Sequence, residues 1–428
     1  MKINALKSAL MSGEYDGRLG YIYGEAAVTK QRERYAAAID AFVALYGADR
    51  EAALYSVAGR SELSGNHTDH NHGRVIAASI DLDIIAVASP NGEDIIRVKS
   101  EGFHEDVIDI NVFTSPRENP EGNSDELIAG MVAGFRQSGY AVGGFDAYTT
   151  SNVLKGSGIS SSAAFEDMVG NILNHIYNNG EIDNVEIAKI AQYAENVFFG
   201  KPCGLMDQVA CAVGGIVAID FADPSSPIIK KLDVDISGAG YNLCITNTGG
   251  NHADLTDDYA SVPKEMKEIA AYFGKSVLRD LEEENFIASI PLLRDKYSDR
   301  AILRALHFFS ENRRVAEQTE ALANSDLDAF FANVIASGRS SYCYLQNVYT
   351  TKNVEEQGLS LALCLSERLL AGKKSAWRVH GGGFAGTIQA FVEVGDVDGY
   401  RALMDSAFGE GKCMVLRVRL QGAIKVVD

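Results

Sequence analysis

GGFDAYTTSNVLKGSGISSSAAFEDMVGNILNHIYN, residues 143–178, passes from a strand-like stretch through a glycine- and serine-rich loop into a long helical pattern. Residues 143–153 are rich in Thr, Tyr and Phe and read as a strand. Beyond the loop, Phe165, Val169, Ile172 and Ile176 recur at spacings of three and four, which is one apolar stripe of a helix. The connecting GSGISSSAA, Gly156 to Ala164, places glycines where the backbone must turn sharply and serines where a helix N-terminus presents unpaired N–H groups. Such a loop suits an anion, above all a phosphate chain. The plainer reading is that Ser160 to Ser162 only cap the helix. No GxxxxGK[ST] and no protein-kinase signature occurs, so the loop is not of the Walker type.

Outward from this stretch, helix and strand come in blocks. Upstream, Tyr35, Ala38, Phe42 and Leu45 mark a helix from about Ala26 to Tyr46. RVIAASIDLDIIAVASP (74–90) and DIIRVKS (94–100) read as strands, and Asn91-Gly92 between them predicts a hairpin turn. A surface loop at 118–125 precedes a helix to about Gln137. Downstream, a helix over 184–199 ends near Gly200, two or three strands fill 215–248, and 263–370 is almost continuously helical. The last fifty residues return to strands, with one helix near 397–407. Blocks of this kind, without strict βαβ alternation, predict an α+β fold. At 428 residues two packed domains are expected, with the boundary placed near 215: 1–215 and 216–428.

The balance of 39 Lys and Arg against 58 Asp and Glu gives a net charge of −19, which argues against nucleic acid as a partner. A nucleotide can still be held by backbone N–H groups and a local cation. The six cysteines form no CxxC pair and no tight framework, and read as free thiols of a reducing compartment. The opening twenty residues lack the apolar stretch of a signal peptide, and no apolar run is long enough to span a bilayer. A cytoplasmic protein with no membrane partner is the expectation.

Three further segments carry candidate chemistry. HGGGFAG, His380 to Gly386, formally matches GxGxxG, but a strand pattern follows it where a dinucleotide site needs a helix. It reads as a tight turn between strands, functional only if it lies against another site. GRSELSGNHTDHNHG, Gly59 to Gly73, reads as a polar loop before an apolar strand. His67, Asp69, His70 and His72 have the chemistry of a zinc site, whereas Asn66, His67 and Asp69 suit a polyhydroxy ligand; spacing alone does not choose. In FGKPCGLMDQVACAVGG, residues 199–215, Asp207 stands alone among Leu, Met, Val and Ala, the setting of a proton-accepting carboxylate or of a helix cap.

Taken in order, these segments resemble the galactokinase branch of the GHMP small-molecule kinases. GRSELSGNHTDHNHG is similar to that family's sugar signature, GSGISSSAA to its nucleotide loop, HGGGFAG to its third glycine motif, and KPCGLMDQ to the segment ending in its catalytic Asp. TNTGGNHADLTDDY resembles the stretch that ends in a sugar-contacting tyrosine, here Tyr259. The resemblance implies two α+β domains with the active site in the cleft between them, and transfer of phosphate from ATP to a sugar's anomeric hydroxyl. It implies Asp207 as base with Arg60 beside it, and sugar contacts from Asn66, His67, Asp69, Gly204 and Tyr259. It further implies ATP contacts from Gly156, Ser157, Gly158, Ser160, Ser161, Ser162, Gly382 and Gly383, and Mg²⁺ held by Ser161 or its neighbours with Glu195. Asn66 stands where the family has Glu, and His70 where it has Tyr. Galactose is the expected substrate, with N-acetylgalactosamine, another hexose or a pentose behind it. Non-catalytic sensors in the same branch lack the small-residue end of the serine loop, which this chain keeps in Ser162, Ala163 and Ala164.

Overall fold

The structure is a computed structural model that describes residues 1–153, 160–201, 203–250 and 255–427. Helices α1 (Ile3–Ser12), α2 (Asp16–Tyr23) and α3 (Val28–Tyr46) precede strands β1 (Ala53–Ser64), β2 (Arg74–Pro90), β3 (Ile95–Ser100) and β4 (Glu105–Asp109). Then come α4 (Ser124–Gln137), β5 (Phe145–Ser151), α5 (Ser161–Tyr177), α6 (Asn184–Tyr193), a π-helical turn over Ala194–Phe198, and α7 (Met206–Val213). Strands β6 (Ile216–Asp220), β7 (Ile228–Leu232) and β8 (Tyr241–Asn247) lead to helices α8 (Thr256–Tyr272), α9 (Glu283–Arg294), α10 (Asp299–Ala323), α11 (Leu327–Ser340) and α12 (Gly358–Leu370). The chain closes with β9 (Ala376–Val379), β10 (Thr387–Glu393), α13 (Val397–Phe408), β11 (Cys413–Leu416) and β12 (Ile424–Val427).

Among the described residues two sheets form, one of eight strands ordered β12-β1-β2-β5-β3-β4 with β6 and β7 branching from β2, the other ordered β11-β8-β10-β9. The seventeen-residue β2 pairs with β1 along one edge and with two strands along the other, 74–78 with β6 and 84–90 with β5. Its near-continuous apolar run follows from burial on both faces. Ile85 and Val87 pack with α1 and α3 through Leu6 and Phe42, while Ile84, Ala86 and Ala88 face the opposite core with α4 and α5. Helices thus cover both sides, by the two-residue alternation of a strand.

The hairpin expected at Asn91-Gly92 does not form. β5 inserts between β2 and β3, and β3 pairs with β5 in parallel. The Asn91 side chain instead makes a local turn, accepting from Glu93 N and donating to Ile95 O, each at 2.9 Å. The division at 215 likewise falls inside the first sheet, because β6 and β7 come after it and β12, the last strand, pairs with β1. In the second sheet Phe391 sits 5.4 Å from Phe330 and 5.5 Å from Phe331 of α11, ring centre to ring centre. Among the described residues no helix is long and apolar enough to cross a membrane.

Candidate active site

β1 extends through the first half of the polar segment, so Gly59–Ser64 is strand, and residues 65–73 form the loop, with one 3-10 turn over Asp69–Asn71. Arg60 and Glu62, two apart, take different partners. The Arg60 guanidinium grips Asp207 by two parallel bonds, Nε to Oδ1 and Nη2 to Oδ2, both 2.7 Å. Glu62 accepts from buried Arg378 at 3.0 Å. Asp207 lies in the first turn of α7, where the helix N-terminus favours an anion. Burial pushes its carboxyl up, but the Arg60 charge and the hydrogen bonds from Arg60 and Ser160 outweigh that, and the pKa lies below the usual carboxylate value. Asp207 is therefore ionised at neutral pH, with its side chain 30% exposed.

The head of α5 reaches two carboxylates. Ser160, in left-handed backbone at φ +52°, donates to Asp207 Oδ2. Ser162 donates to Glu195 Oε1 at 3.3 Å. Of Ser161 and its neighbours, Ser162 is thus the serine that meets Glu195. Lys201 adds a cation 3.2 Å from the same oxygen. Glu166, fully buried on α5, is raised well above the ordinary value by burial and then by repulsion from Glu195. Gly156, Ser157 and Gly158 of the expected phosphate loop lie outside the described residues.

The rest of the polar segment folds back on itself. Gly65 has φ +96°, and a side chain there would strike Arg74 O at 2.5 Å. Asn66 is buried, and all its hydrogen-bonding capacity is used. Its Nδ2 donates to Gly381 O at 2.7 Å and Glu62 Oε1 at 3.3 Å, while Oδ1 accepts from Asn347 at 2.8 Å and Ser341 at 3.2 Å. His67 Nε2 donates to Gly382 O at 2.9 Å, and its Nδ1 lies 3.4 Å from His70 Nε2. Burial, chiefly, lowers His70 to about 4, so it is neutral near pH 7. Among the described residues no three His, Cys, Asp or Glu gather as a metal cluster, the histidine run included. Asp69 stands beside Gly204, where an added Cβ would lie 3.2 Å from Asp69 Oδ2.

The turn 380–386 joins β9 to β10 and presses on the same residues. Gly383, at φ +81°, would put a Cβ 2.0 Å from Asn347 O, and Gly382 would put one 2.6 Å from the Tyr259 ring. Tyr259 donates to Gly383 O at 3.0 Å and packs edge-on to Phe384 at 5.4 Å. Gly382 and Gly383 therefore lie against Asn66, His67 and Tyr259, the residues expected at the sugar. Behind them His380 bonds Ser61 and Thr387 and is lowered to about 3 by burial and by the nearby Arg60 and Arg378 charges.

Several supporting residues escape sequence reasoning. Lys201, Gln208 and Glu166 sit inside quoted segments, and the Glu166-Asp167 pair in an apolar helical stripe is a signal that could have marked them. His307 on α10, which bonds Asn66 O at 2.9 Å, and Asn347, in the irregular stretch before α12, are remote in sequence and carry no such mark.

Residues 40–90 match the galactokinase galactose-binding signature, and 126–215 match the GHMP kinases N terminal domain. The chain is 30% identical over 354 residues to the galactokinase of Glaesserella parasuis, covering 81% of this chain and 86% of that one. It is 29% identical over 381 residues to the galactokinase of Streptomyces coelicolor, covering 88% and 94%. Its fold is similar to that of Lactococcus lactis galactokinase complexed with galactose, at TM-score 0.75 and 23% identity over 92% of this chain and all of that one. Methanococcus jannaschii mevalonate kinase shares the architecture at TM-score 0.59, with 15% identity over 86% of this chain and 98% of that one. The chain belongs to the galactokinase family of the GHMP kinases, phosphotransferases whose acceptor is an alcohol.

Proposed function

We propose that the protein transfers the γ-phosphoryl group of ATP to the anomeric hydroxyl of galactose, with Asp207 accepting the hydroxyl proton. The observation that carries this reading is the clamp at Asp207: an ionised carboxylate, fixed by two bonds from Arg60, that already accepts an O–H donor from Ser160 at one edge. A sugar hydroxyl presented at that edge meets an acceptor held in one orientation. Arg60, bound to the base, is placed to steady the alkoxide that develops as the proton leaves, and phosphoryl transfer needs such charge neutralisation more than covalent help. Asn66, His67, Asp69, Gly204 and Tyr259 frame the sugar side. Ser160, Ser161 and Ser162, with Gly156, Ser157 and Gly158, belong to the nucleotide side of this proposal, whereas Gly382 and Gly383, expected there too, bond His67 and Tyr259 on the sugar side.

Glu195 Oε1 and the Ser162 hydroxyl are hard oxygen donors in contact with each other, and they fit Mg²⁺, which takes one or two protein oxygens together with phosphate and water. Bound there, Mg²⁺ neutralises charge on the phosphates. Six free thiols support a cytoplasmic location as part of the same proposal.

A second reading moves only the acceptor. Because Asn66 spends its donors and acceptors on Glu62, Gly381, Ser341 and Asn347, the sugar contact at that end is displaced, and N-acetylgalactosamine or another hexose becomes the alternative. ADP release from Mg-ATP, followed across galactose, glucose, N-acetylgalactosamine, mannose and arabinose, tests both. Turnover with galactose is expected; turnover with another sugar alone selects the second reading, and sugar binding without any turnover contradicts both.

A further inference from the structure

Gln208 is fully buried on α7, one residue after Asp207, and lies among three elements of the core. Its Nε2 is 2.8 Å from Glu195 Oε2 in the π-helical turn, 3.2 Å from Glu166 Oε2 on α5, and 3.5 Å from Cys203 Sγ. An amide nitrogen has two hydrogens, so it serves the two carboxyl groups and little else. Its other end, Oε1, is buried with no partner among the described residues, as is Glu166 Oε1. The side chain is thus oriented by what its nitrogen holds. The reverse orientation would set the amide oxygen against the Glu195 carboxylate, an acceptor against an acceptor.

We propose that Gln208 is a positioning residue for the metal-binding carboxylate: by holding Glu195 Oε2 from the core side, it leaves Oε1 as the oxygen that faces Ser162 and the metal. This rests on the reading of Glu195 as a metal ligand. Oε1 meets Ser162 and Lys201, Oε2 meets Gln208, and the carboxylate cannot rotate without breaking one set. Consecutive residues of one short helix then index the base and the metal-binding group to each other, Asp207 toward the cleft and Gln208 toward the core. A partner that orients a ligand commonly changes metal affinity about 10- to 100-fold when removed.

The test is Mn²⁺ binding to the ADP complex, read by the electron paramagnetic resonance of free Mn²⁺, for the wild type, Gln208→Met and Glu195→Gln, with galactose affinity measured alongside by calorimetry. Gln208→Met keeps the volume and removes the donor. It is expected to weaken Mn²⁺ about tenfold and to leave galactose affinity within about twofold, with a matching rise in the apparent KM for Mg²⁺ in turnover. If Glu195→Gln weakens Mn²⁺ and Gln208→Met does not, the positioning role is overturned while the metal reading stands. If Glu195→Gln leaves Mn²⁺ affinity unchanged, the metal reading itself fails. Equal losses of Mn²⁺ and galactose affinity in Gln208→Met would show a merely structural role and overturn the proposal. Should that variant not fold, Gln208→Glu preserves the shape with at most one proton to donate; unchanged Mn²⁺ affinity there overturns it equally, and a loss of about tenfold supports it.

Discussion

At the scale of single residues, the site depends on which groups carry charge. Asp207 is ionised because Arg60 and Ser160 offset its burial, and Asp207→Asn removes the proton acceptor while keeping the shape. Turnover should fall about 10²- to 10⁴-fold with sugar affinity largely kept; single-turnover rates and calorimetry separate the two, and near-normal turnover would remove Asp207 from the mechanism. His307 shows the opposite case. It is buried between Ser340 and the Asn66 carbonyl, and burial lowers it from 6.5 to about 4. The folded state holds it neutral while the unfolded chain protonates it, so its contribution to stability is complete above pH 6.5 and is lost as pH falls from there to about 4. Across those 2.5 units the loss approaches about 3 kcal/mol. His307→Gln lacks this titration, and the stability gap between wild type and variant, from urea unfolding, should narrow by that order between pH 6.5 and 4. Asp207 and the polar segment that holds Arg60 and Asn66 stood out because such residues are costly or unusual in their settings, whereas Tyr259 and the role of Arg60 came only from the family resemblance. Their partners were not, since Asn347 is 281 positions from Asn66 and no local pattern joins them.

At the scale of elements, the turn between β9 and β10 is where two motifs become one site. Gly381 and Gly383 both have positive φ, at +65° and +81°, but only Gly383 is crowded. Gly383→Ala must displace the Asn347 carbonyl in addition to straining the backbone, roughly 1–3 kcal/mol for the strain alone, and should raise the sugar KM because Asn66 and Tyr259 bond this turn. Gly381→Ala meets open space and should cost the backbone strain alone, roughly 1–3 kcal/mol, with the sugar KM little changed. Thermal unfolding and KM of the two variants check the contrast. Glycine spacing marked this turn correctly as a strand connection. The Asn91-Gly92 hairpin was misread for a physical reason: the dipeptide fixes a local turn, and which strand then pairs with β3 depends on β5, some fifty residues further on, whose register with β2 is set by the shared core.

At the scale of the molecule, the two ends of the chain are tied to its centre. Asp83 on β2, fully buried, takes Arg34 from α3 and, at 3.1 Å, Arg419 from the segment before β12. Tyr23 and Ser56 donate to it as well. Asp83→Asn leaves two guanidinium groups without their counter-charge and should cost about 3–5 kcal/mol, read by urea unfolding; a loss below about 1 kcal/mol would show that the cluster is not what joins these segments. The α+β class was legible from blocks of pattern, but the return of the last strand to the first sheet was not, because a four-residue strand carries little periodic signal of its own. The central claim is chemical: phosphate passes to the anomeric oxygen of galactose. Incubating the protein with Mg-ATP and galactose carrying ¹³C at carbon 1, and following the ¹³C resonance, tests it most directly. Splitting of the carbon 1 signal by ³¹P is the predicted result; an unsplit carbon 1 signal while ADP accumulates would contradict it.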